Sequence, residues 1–254
     1  MIKQRPEKAN ILGCMIDLID MEQALMTIDR IIANGKPSQI ITLNAEIVYS
    51  AQNDQALRNI INSAQMVTPD GIGIVWGARM LGYQIKSRVT GIDLVHHLCE
   101  AAAAKGWKIY LLGAAPGVAG LAAQKLTEEY QGLKICGCRD GYFLESDVEN
   151  IIKDIKAQSP EILLVALGAP KQEIFIKKHK NKLGVPVCLG VGGSFDVLSG
   201  IKSRAPGLFI KLNLEWFYRL MAEPSRFKRQ LALPKFALMI VKSKYFTRGT
   251  ARTH

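Results

Sequence analysis

The chain has 254 residues, of which 48% are hydrophobic and 22% charged, and it has a net charge of +11; this ordinary globular composition excludes a disordered chain. No segment reaches the roughly 18 uncharged apolar residues of a spanning helix, and the first apolar stretch, Ile11 to Ile16, does not resemble a secretory signal, so a cytosolic location is expected. Five scattered cysteines and four histidines lack disulfide or metal-ligand spacing, and they predict neither a metal site nor a cofactor.

Short apolar runs alternate with segments of helical periodicity along most of the chain. The predicted strands are Ser38–Leu43, Met66–Val67, Lys108–Leu112, Leu133–Cys138, Glu161–Leu167 and Val185–Val191. The predicted helices are Ala45–Ile61, Ile72–Leu81, Ile92–Ala104, Val118–Tyr130, Val148–Gln158 and Gln172–His179. This alternation predicts an α/β fold with a mostly parallel sheet and helices on both faces.

Polar residues follow the first two strands, at the positions where open parallel sheets bind ligands. Thr42 and Asn44 are candidates to hydrogen-bond a sugar hydroxyl, although Asn44 is equally suited to cap the next helix. Asp70 lies in the turn Thr68–Gly71. It is a candidate general base, and the alternative is a turn residue whose side chain bonds its own backbone.

Three further segments carry groups that suit a diphosphate. Gly113 begins a glycine-rich turn that leads into a helix. Such a turn can bind a phosphate at the helix N-terminus, and the alternative is a simple connection between strand and helix. Lys171 and Gln172 open another helix, where they contact substrate or form a solvated first turn. Arg88 lies in a loop that can reach a phosphate. The glycine turn is not G-x-G-x-x-G, and no acid follows at the required spacing, which disfavours NAD binding.

The C-terminal segment differs from the rest of the chain in its charge. Residues 1–200 carry 21 Lys and Arg against 20 Asp and Glu, whereas residues 201–254 carry 12 against 2. These basic residues alternate with aromatic and aliphatic ones, which is typical of a segment in a bilayer interface; the alternative is a solvated basic tail packed on the body. We therefore expect a catalytic domain, 1–206, and a basic amphipathic C-terminal appendage, 207–254.

Three arginines of the appendage are spaced for one helix face. Arg219, Arg226 and Arg229 stand at i, i+7 and i+10, and they share a face if the helix continues through Pro224. Guanidinium groups on one face can clamp a pyrophosphate, and the alternative is contact with lipid head groups.

In this order, the segments resemble the WecG/TagA/CpsF family of bacterial glycosyltransferases, from about Asn10 to Leu231. The resemblance is carried by Thr42–Asn44, Thr68–Gly71, Arg88–Gly91, Leu112-Gly113 with Pro116-Gly117, Gly168–Glu173, Gly192–Asp196 with Ser199-Gly200, Arg204–Pro206, Glu215-Trp216, Arg219, Glu223-Pro224, Arg226 and Arg229.

The resemblance implies a Rossmann-like domain whose appendage reaches the membrane and completes a metal-independent site. It implies transfer of N-acetylmannosamine from UDP-ManNAc to undecaprenyl-diphosphate-linked GlcNAc, in wall teichoic acid or related polysaccharide synthesis, at the inner face of the plasma membrane. Asp70 and Thr42 would be catalytic, Asn44 and Gln172 would contact sugar and donor, and phosphates would be bound by Arg88, Arg219, Arg226 and Arg229. An anionic membrane is the expected partner, nucleic acid is not, and a homodimer is possible.

Three alternatives remain open from the sequence. The same fold can transfer another UDP-sugar, either N-acetylmannosaminuronic acid or a hexose, to a polyprenyl-diphosphate sugar. A nucleic-acid-binding protein would use the basic appendage, and its affinity would depend on salt. A membrane-bound scaffold would have a degenerate pocket without transfer activity.

Overall fold

The computed structural model describes residues 6–250, except for the side chains of residues 226, 228 and 246–250. Within this range, no helix combines the length and the apolar content needed to cross a bilayer.

A six-stranded parallel sheet forms the centre of the molecule. Its strands, with an N-terminal hairpin of β1 and β2, are β1 Lys8–Ile11, β2 Cys14–Asp17, β3 Ser38–Leu43, β4 Met66–Pro69, β5 Lys108–Gly113, β6 Lys134–Arg139, β7 Ile162–Ala166 and β8 Val187–Gly190. The order in the sheet is β4-β3-β8-β7-β5-β6, and every neighbouring pair is parallel. The predicted α/β class is therefore confirmed.

Helices cover both faces of this sheet. They are α1 Met21–Asn34, α2 Ala45–Ser50, α3 Gln55–Asn62, α4 Ile72–Met80, α5 Gly91–Lys105, α6 Val118–Glu129, α7 Val148–Gln158, α8 Lys171–Leu183, α9 Ser194–Leu198, α10 Gly207–Lys211, α11 Glu215–Ala222, α12 Phe227–Gln230 and α13 Ala232–Thr250, with 3₁₀ turns at Glu145–Asp147 and Pro224–Arg226. Successive strand residues point to opposite faces, so Ile40 and Ile41 enter different apolar clusters. Because both faces are covered, the central strands β7 and β8 are apolar throughout.

The predicted helix Ala45–Ile61 is wrong as one element, since two helices occupy this range. The first, α2, ends at Ser50, and Asp54 begins the second by accepting a 2.9 Å hydrogen bond from the Leu57 N–H. An Asp side chain at this position satisfies a free N–H of the new helix and favours a fresh start over continuation.

The N-terminal hairpin and α1 were not predicted from the sequence. The hairpin strands have only four residues each, too few for a clear alternation. For α1 the signals were present: Asp20 and Gln23 form a reciprocal capping box, and Gly35 ends the helix in the left-handed conformation.

The appendage contains a buried helix and exposed ones. In α13, Phe236 and Ile240 are buried against α4 at Gly77, where a Cβ would lie 3.0 Å from the Phe236 ring. In contrast, Leu208 of α10 and Phe217 and Met221 of α11 are exposed, as is Leu212 between the two helices. The alternative of a tail packed on the body therefore describes α13 but not the exposed apolar side chains of α10 and α11.

The helix that carries Arg219 does not continue through Pro224, which was the condition for the three arginines to share one face. Helix α11 ends at Ala222, and Pro224 begins a 3₁₀ turn. Proline lacks the N–H that would continue the helical hydrogen bonds, and its ring clashes with the preceding turn. Arg219 and Arg229 therefore lie on separate helices, α11 and α12.

Candidate active site

A cavity of about 1010 Å³ opens where four neighbouring strands end. Its floor comes from the segments that follow β3, β4, β7 and β8, and its other wall comes from α11 to α13 of the appendage. The candidates from the sequence that line it are Thr42, Asn44, Asp70, Arg88, Gln172, Arg219 and Arg229. Gly113 and Lys171 are not among the lining residues, and the side chain of Arg226 lies outside the described part of the structure.

Asp70 lies on the cavity floor just after β4. Its N–H donates to the Leu43 carbonyl at 2.9 Å, which extends the strand pairing by one residue. The Gly91 N–H, at the first residue of α5, lies near enough to its carboxylate to favour the charged form, and among the described residues no hydrogen bond joins this side chain to the backbone of its own turn. Burial raises the pKa of Asp70 to about 6, and Glu215 also raises it, against the opposing effect of Arg219 and Arg88. A carboxylate with this pKa is suited to general-base catalysis near neutral pH.

This pKa leads to a prediction for the pH dependence of activity. A base must be deprotonated to accept a proton, so kcat/KM should be flat at high pH and should fall about tenfold per pH unit below about 6. An ordinary aspartate, with a pKa near 3.9, would give no decline in this range. Initial rates between pH 4.5 and 8 measure the profile, and a flat profile down to pH 5 would contradict the assignment.

Thr42 lies beside Asp70, on the neighbouring strand. Its Oγ1 donates to the Gly190 carbonyl at 3.4 Å, and the residue is 8% exposed, facing the cavity. A Cβ at Gly91 would lie 3.3 Å from this oxygen, so glycine permits the close approach of α5. Thr42 is thus positioned to hydrogen-bond a substrate hydroxyl close to the carboxylate.

Asn44 caps a helix in the structure and also lies at the cavity, so its contact with a sugar stays a prediction. Its Oδ1 accepts a 3.0 Å hydrogen bond from the Ile47 N–H and caps α2, and the residue also lines the cavity. With the carbonyl oxygen used in the cap, the amide NH₂ is the group that remains for a ligand.

The Gln172 side chain is fixed by two hydrogen bonds. Its Nε2 donates to Glu173 Oε1 at 2.8 Å, and its Oε1 accepts from the Gly192 N–H at 3.0 Å. A Cβ at Gly190 would lie 2.6 Å from Nε2, so the amide packs directly on a glycine. Glu173 is 2% exposed, and burial raises its pKa. Glu173 was missed because a first-turn glutamate is normally solvated.

Arg88 is bound to the appendage. It donates to both carboxylate oxygens of Glu215, at 3.3 and 3.4 Å, and to the Ile210 carbonyl at 3.4 Å. Arg88, which was expected to bind a phosphate, is therefore paired with the carboxylate of Glu215 in this structure. Sequence reasoning missed Glu215 as a partner because the two residues are 127 positions apart.

The two appendage arginines whose side chains are described differ in their partners. Arg229 forms an ion pair with Glu46 at 3.0 Å. Arg219, on the cavity wall, makes no ion pair with any carboxylate of the described side chains. It is the cation best placed to bind an anionic substrate beside Asp70.

The described residues contain no group of three or more His, Cys, Asp and Glu side chains placed to hold a metal ion. The cations that this part of the chain brings to the cavity are side chains such as Arg219, Arg229 and Lys202.

Known proteins resemble this chain along most of its length. Residues 9–250 match the profile of the glycosyl transferase WecG/TagA/CpsF family. A Bacillus subtilis protein is 40% identical over 205 residues, covering 81% of this chain and 79% of its own. A relative from Bacillus spizizenii is 36% identical, covering 87% of this chain and 84% of its own. One from Staphylococcus aureus is 35% identical, covering 93% of this chain and 93% of its own. All three are named N-acetylglucosaminyldiphosphoundecaprenol N-acetyl-beta-D-mannosaminyltransferase.

Proposed function

The chain belongs to the WecG/TagA/CpsF family of glycosyl transferases, and on this basis we propose that it transfers N-acetylmannosamine from UDP-ManNAc to GlcNAc carried on undecaprenyl diphosphate. The product would enter wall teichoic acid or a related cell-surface polysaccharide. The observation that supports this most is that one cavity holds both Asp70, a carboxylate of raised pKa, and Arg219, a cation without a carboxylate partner among the described side chains.

The proposed reaction is a single inverting displacement. Asp70 takes the proton from the acceptor GlcNAc hydroxyl, and that oxygen forms the new bond to the anomeric carbon of the donor. The bond from this carbon to the diphosphate breaks, and UDP leaves with the electron pair. Thr42 and the Asn44 amide hydrogen-bond sugar hydroxyls, and Gln172 contacts the donor.

Negative charge grows on the departing diphosphate, and the cavity offers cations to receive it. Arg219 has no carboxylate partner among the described side chains. Arg229 pairs with the half-buried Glu46, but its own side chain is 58% exposed, so a substrate can displace this partner at low cost. Preorganised cations stabilise such a leaving group without a metal. The role of Arg226 stays a prediction.

We propose that the appendage, 207–254, holds the enzyme on the inner face of the plasma membrane, where its lipid-linked acceptor is found. The exposed apolar side chains of α10, α11 and the turn between them support this, since Leu208 in α10 is 67% exposed and Leu212, just after α10, is 58% exposed. Neighbouring basic residues such as Lys211 add attraction to anionic lipids, about 1 kcal/mol for each one near the surface.

Replacing exposed apolar side chains should weaken membrane binding without affecting the chemistry. We expect the triple variant L208Q/L212Q/F217Q to lose about tenfold or more in affinity for anionic vesicles, because burial of apolar area in the interface drives binding. Its turnover on a soluble, short-chain acceptor should be retained. Vesicle co-sedimentation measures the affinity.

The matched control is L121Q/L144Q/I174Q, which removes three exposed apolar side chains of the body. Equal loss of vesicle binding in both variants would show that the effect is not specific to the appendage. Truncation before α10 is a poor substitute, since it would remove Phe236 and Ile240 from the core.

A donor panel tests the proposed function itself. Purified enzyme is incubated with UDP-ManNAc, UDP-ManNAcA, UDP-glucose and UDP-GlcNAc, together with a short-chain GlcNAc-diphospholipid, and the products are weighed by mass spectrometry. The proposal expects the mass of one HexNAc added to the acceptor from UDP-ManNAc. Preference for another donor would assign the other transfer reaction of this fold, and no transfer from any donor would refute the enzyme proposal.

A further inference from the structure

Glu215, in the first turn of α11, lies between two arginines of the body. Arg88 contacts both of its carboxylate oxygens, and Arg204 Nη2 lies 4.0 Å from Oε1. The Glu215 side chain is only 13% exposed, and that of Arg88 16%. Removing one member of such a shielded pair leaves the other charge without a partner, so the contact matters far more than a surface ion pair does.

The two arginines are themselves held in place. Arg204 donates to Asp93, in the first turn of α5, and Asp93 accepts a 2.6 Å hydrogen bond from Thr90 Oγ1. Arg88 also bonds the Ile210 carbonyl of α10. Two cations and two carboxylates thus form one cluster without net charge, and this cluster joins α10 and α11 to α5. Its arginines are already paired, so they have little charge available to bind a substrate.

Glu215 and Arg219 lie one turn apart on α11. Residues four apart in a helix are neighbours on the same face, and α11 is helical from Glu215 to Ala222. Both side chains line the cavity, and both influence the pKa of Asp70, as Arg88 also does. Of these two arginines, Arg88 is paired with Glu215, whereas Arg219 has no carboxylate partner among the side chains described.

We propose that Glu215 is a positioning residue: by joining α11 to Arg88 and Arg204, it holds the Arg219 guanidinium over Asp70, where the donor diphosphate leaves. This inference rests on the proposed transfer reaction. The cluster fixes one end of α11, and the cation one turn further on is thereby placed in advance of the reaction, so that no reorganisation is needed when charge develops.

The test is a double-mutant cycle between Glu215 and Arg219. E215Q should lower kcat about 30-fold with little change in the acceptor KM, because the lost interaction acts in the transition state. If Glu215 acts through Arg219, then E215Q/R219A should be little slower than R219A alone. The proposal would be overturned if the fold losses in kcat of E215Q and R219A multiplied in the double variant. It would also be overturned if the kcat of E215Q stayed within about twofold of wild type.

Hydrogen exchange gives a second readout that does not depend on turnover. Amides of α11 should exchange faster in E215Q, while those of β7 should not change. This result is expected even if the donor panel fails, so failure of the inference and failure of the proposed reaction are distinguishable. Unchanged exchange in α11 would refute the positioning role.

Two further variants control for the loss of any ion pair and for a failure of E215Q to fold. E149Q is the matched control: it also removes one carboxylate from an ion pair, with Lys182 at 2.5 Å, but on the exposed surface, and it should behave as wild type. If E215Q does not fold, E215D retains the charge with a shorter reach. E215D should again lose kcat, and the loss should again disappear in the R219A background; otherwise the proposal is wrong.

Discussion

Asp70→Asn should reduce kcat about a thousandfold while UDP binding is little changed. The amide is nearly the same size as the carboxylate, so the fold and the cavity should be retained, but it cannot take a proton from the acceptor hydroxyl. The decline of activity below about pH 6 should disappear in the residual rate, because the titrating group is gone. Single-turnover rates and calorimetric titration with UDP measure the two quantities.

Asp54→Asn is the matched control for this variant. Asp54 caps α3 through the Leu57 N–H, and asparagine caps a helix about as well, so activity and stability should stay close to wild type. Turnover of the Asp70 variant within about tenfold of wild type would remove this residue from the role of general base.

Gly113→Ala should destabilise the protein by about 3 kcal/mol or more, even though Gly113 does not line the cavity. A Cβ there would lie 2.5 Å from the carbonyl carbon and oxygen of Ala166, and φ is 131°, a region that alanine rarely adopts. The end of β5 approaches β7 too closely for any side chain. Urea denaturation of both proteins measures the difference.

Gly120→Ala separates this effect from an ordinary glycine replacement. Gly120 lies inside α6, and nothing lies within 4 Å of a Cβ built there, so alanine should leave stability unchanged or raise it by up to about 1 kcal/mol. If Gly113→Ala were as stable as wild type but no longer bound UDP, Gly113 would instead be a phosphate contact.

Local patterns were sufficient for most of the fold. Apolar runs such as Glu161–Leu167 identified buried parallel strands, because strands covered on both faces are apolar at most positions. The prediction of one helix over Ala45–Ile61 was wrong because the apolar periodicity continues across Asp54, although a new helix begins there. The division at 206/207 stays a prediction, and α13 packs in the core of the body.

The part of the candidate site that lies at the carboxyl ends of the parallel strands could be predicted from the sequence. Thr42 and Asp70 end neighbouring strands, so their meeting follows from the register, in which Thr42 pairs with Thr68 and Leu43 with Pro69. Glu173 was not predictable, because only the packing of α8 against the sheet decides whether a first-turn carboxylate is solvated or buried.

The sequence by itself determined the α/β class, the carboxyl-end location of the site and the basic character of the appendage, since each depends on residues close together in the chain. Only the tertiary structure decided what the charged groups do. Arg88 and Glu215 are 127 positions apart, and no local pattern indicates that they meet. The physical reason is that the pairing of charges depends on which surfaces exclude water together, and that is settled only when α11 packs over the strand ends.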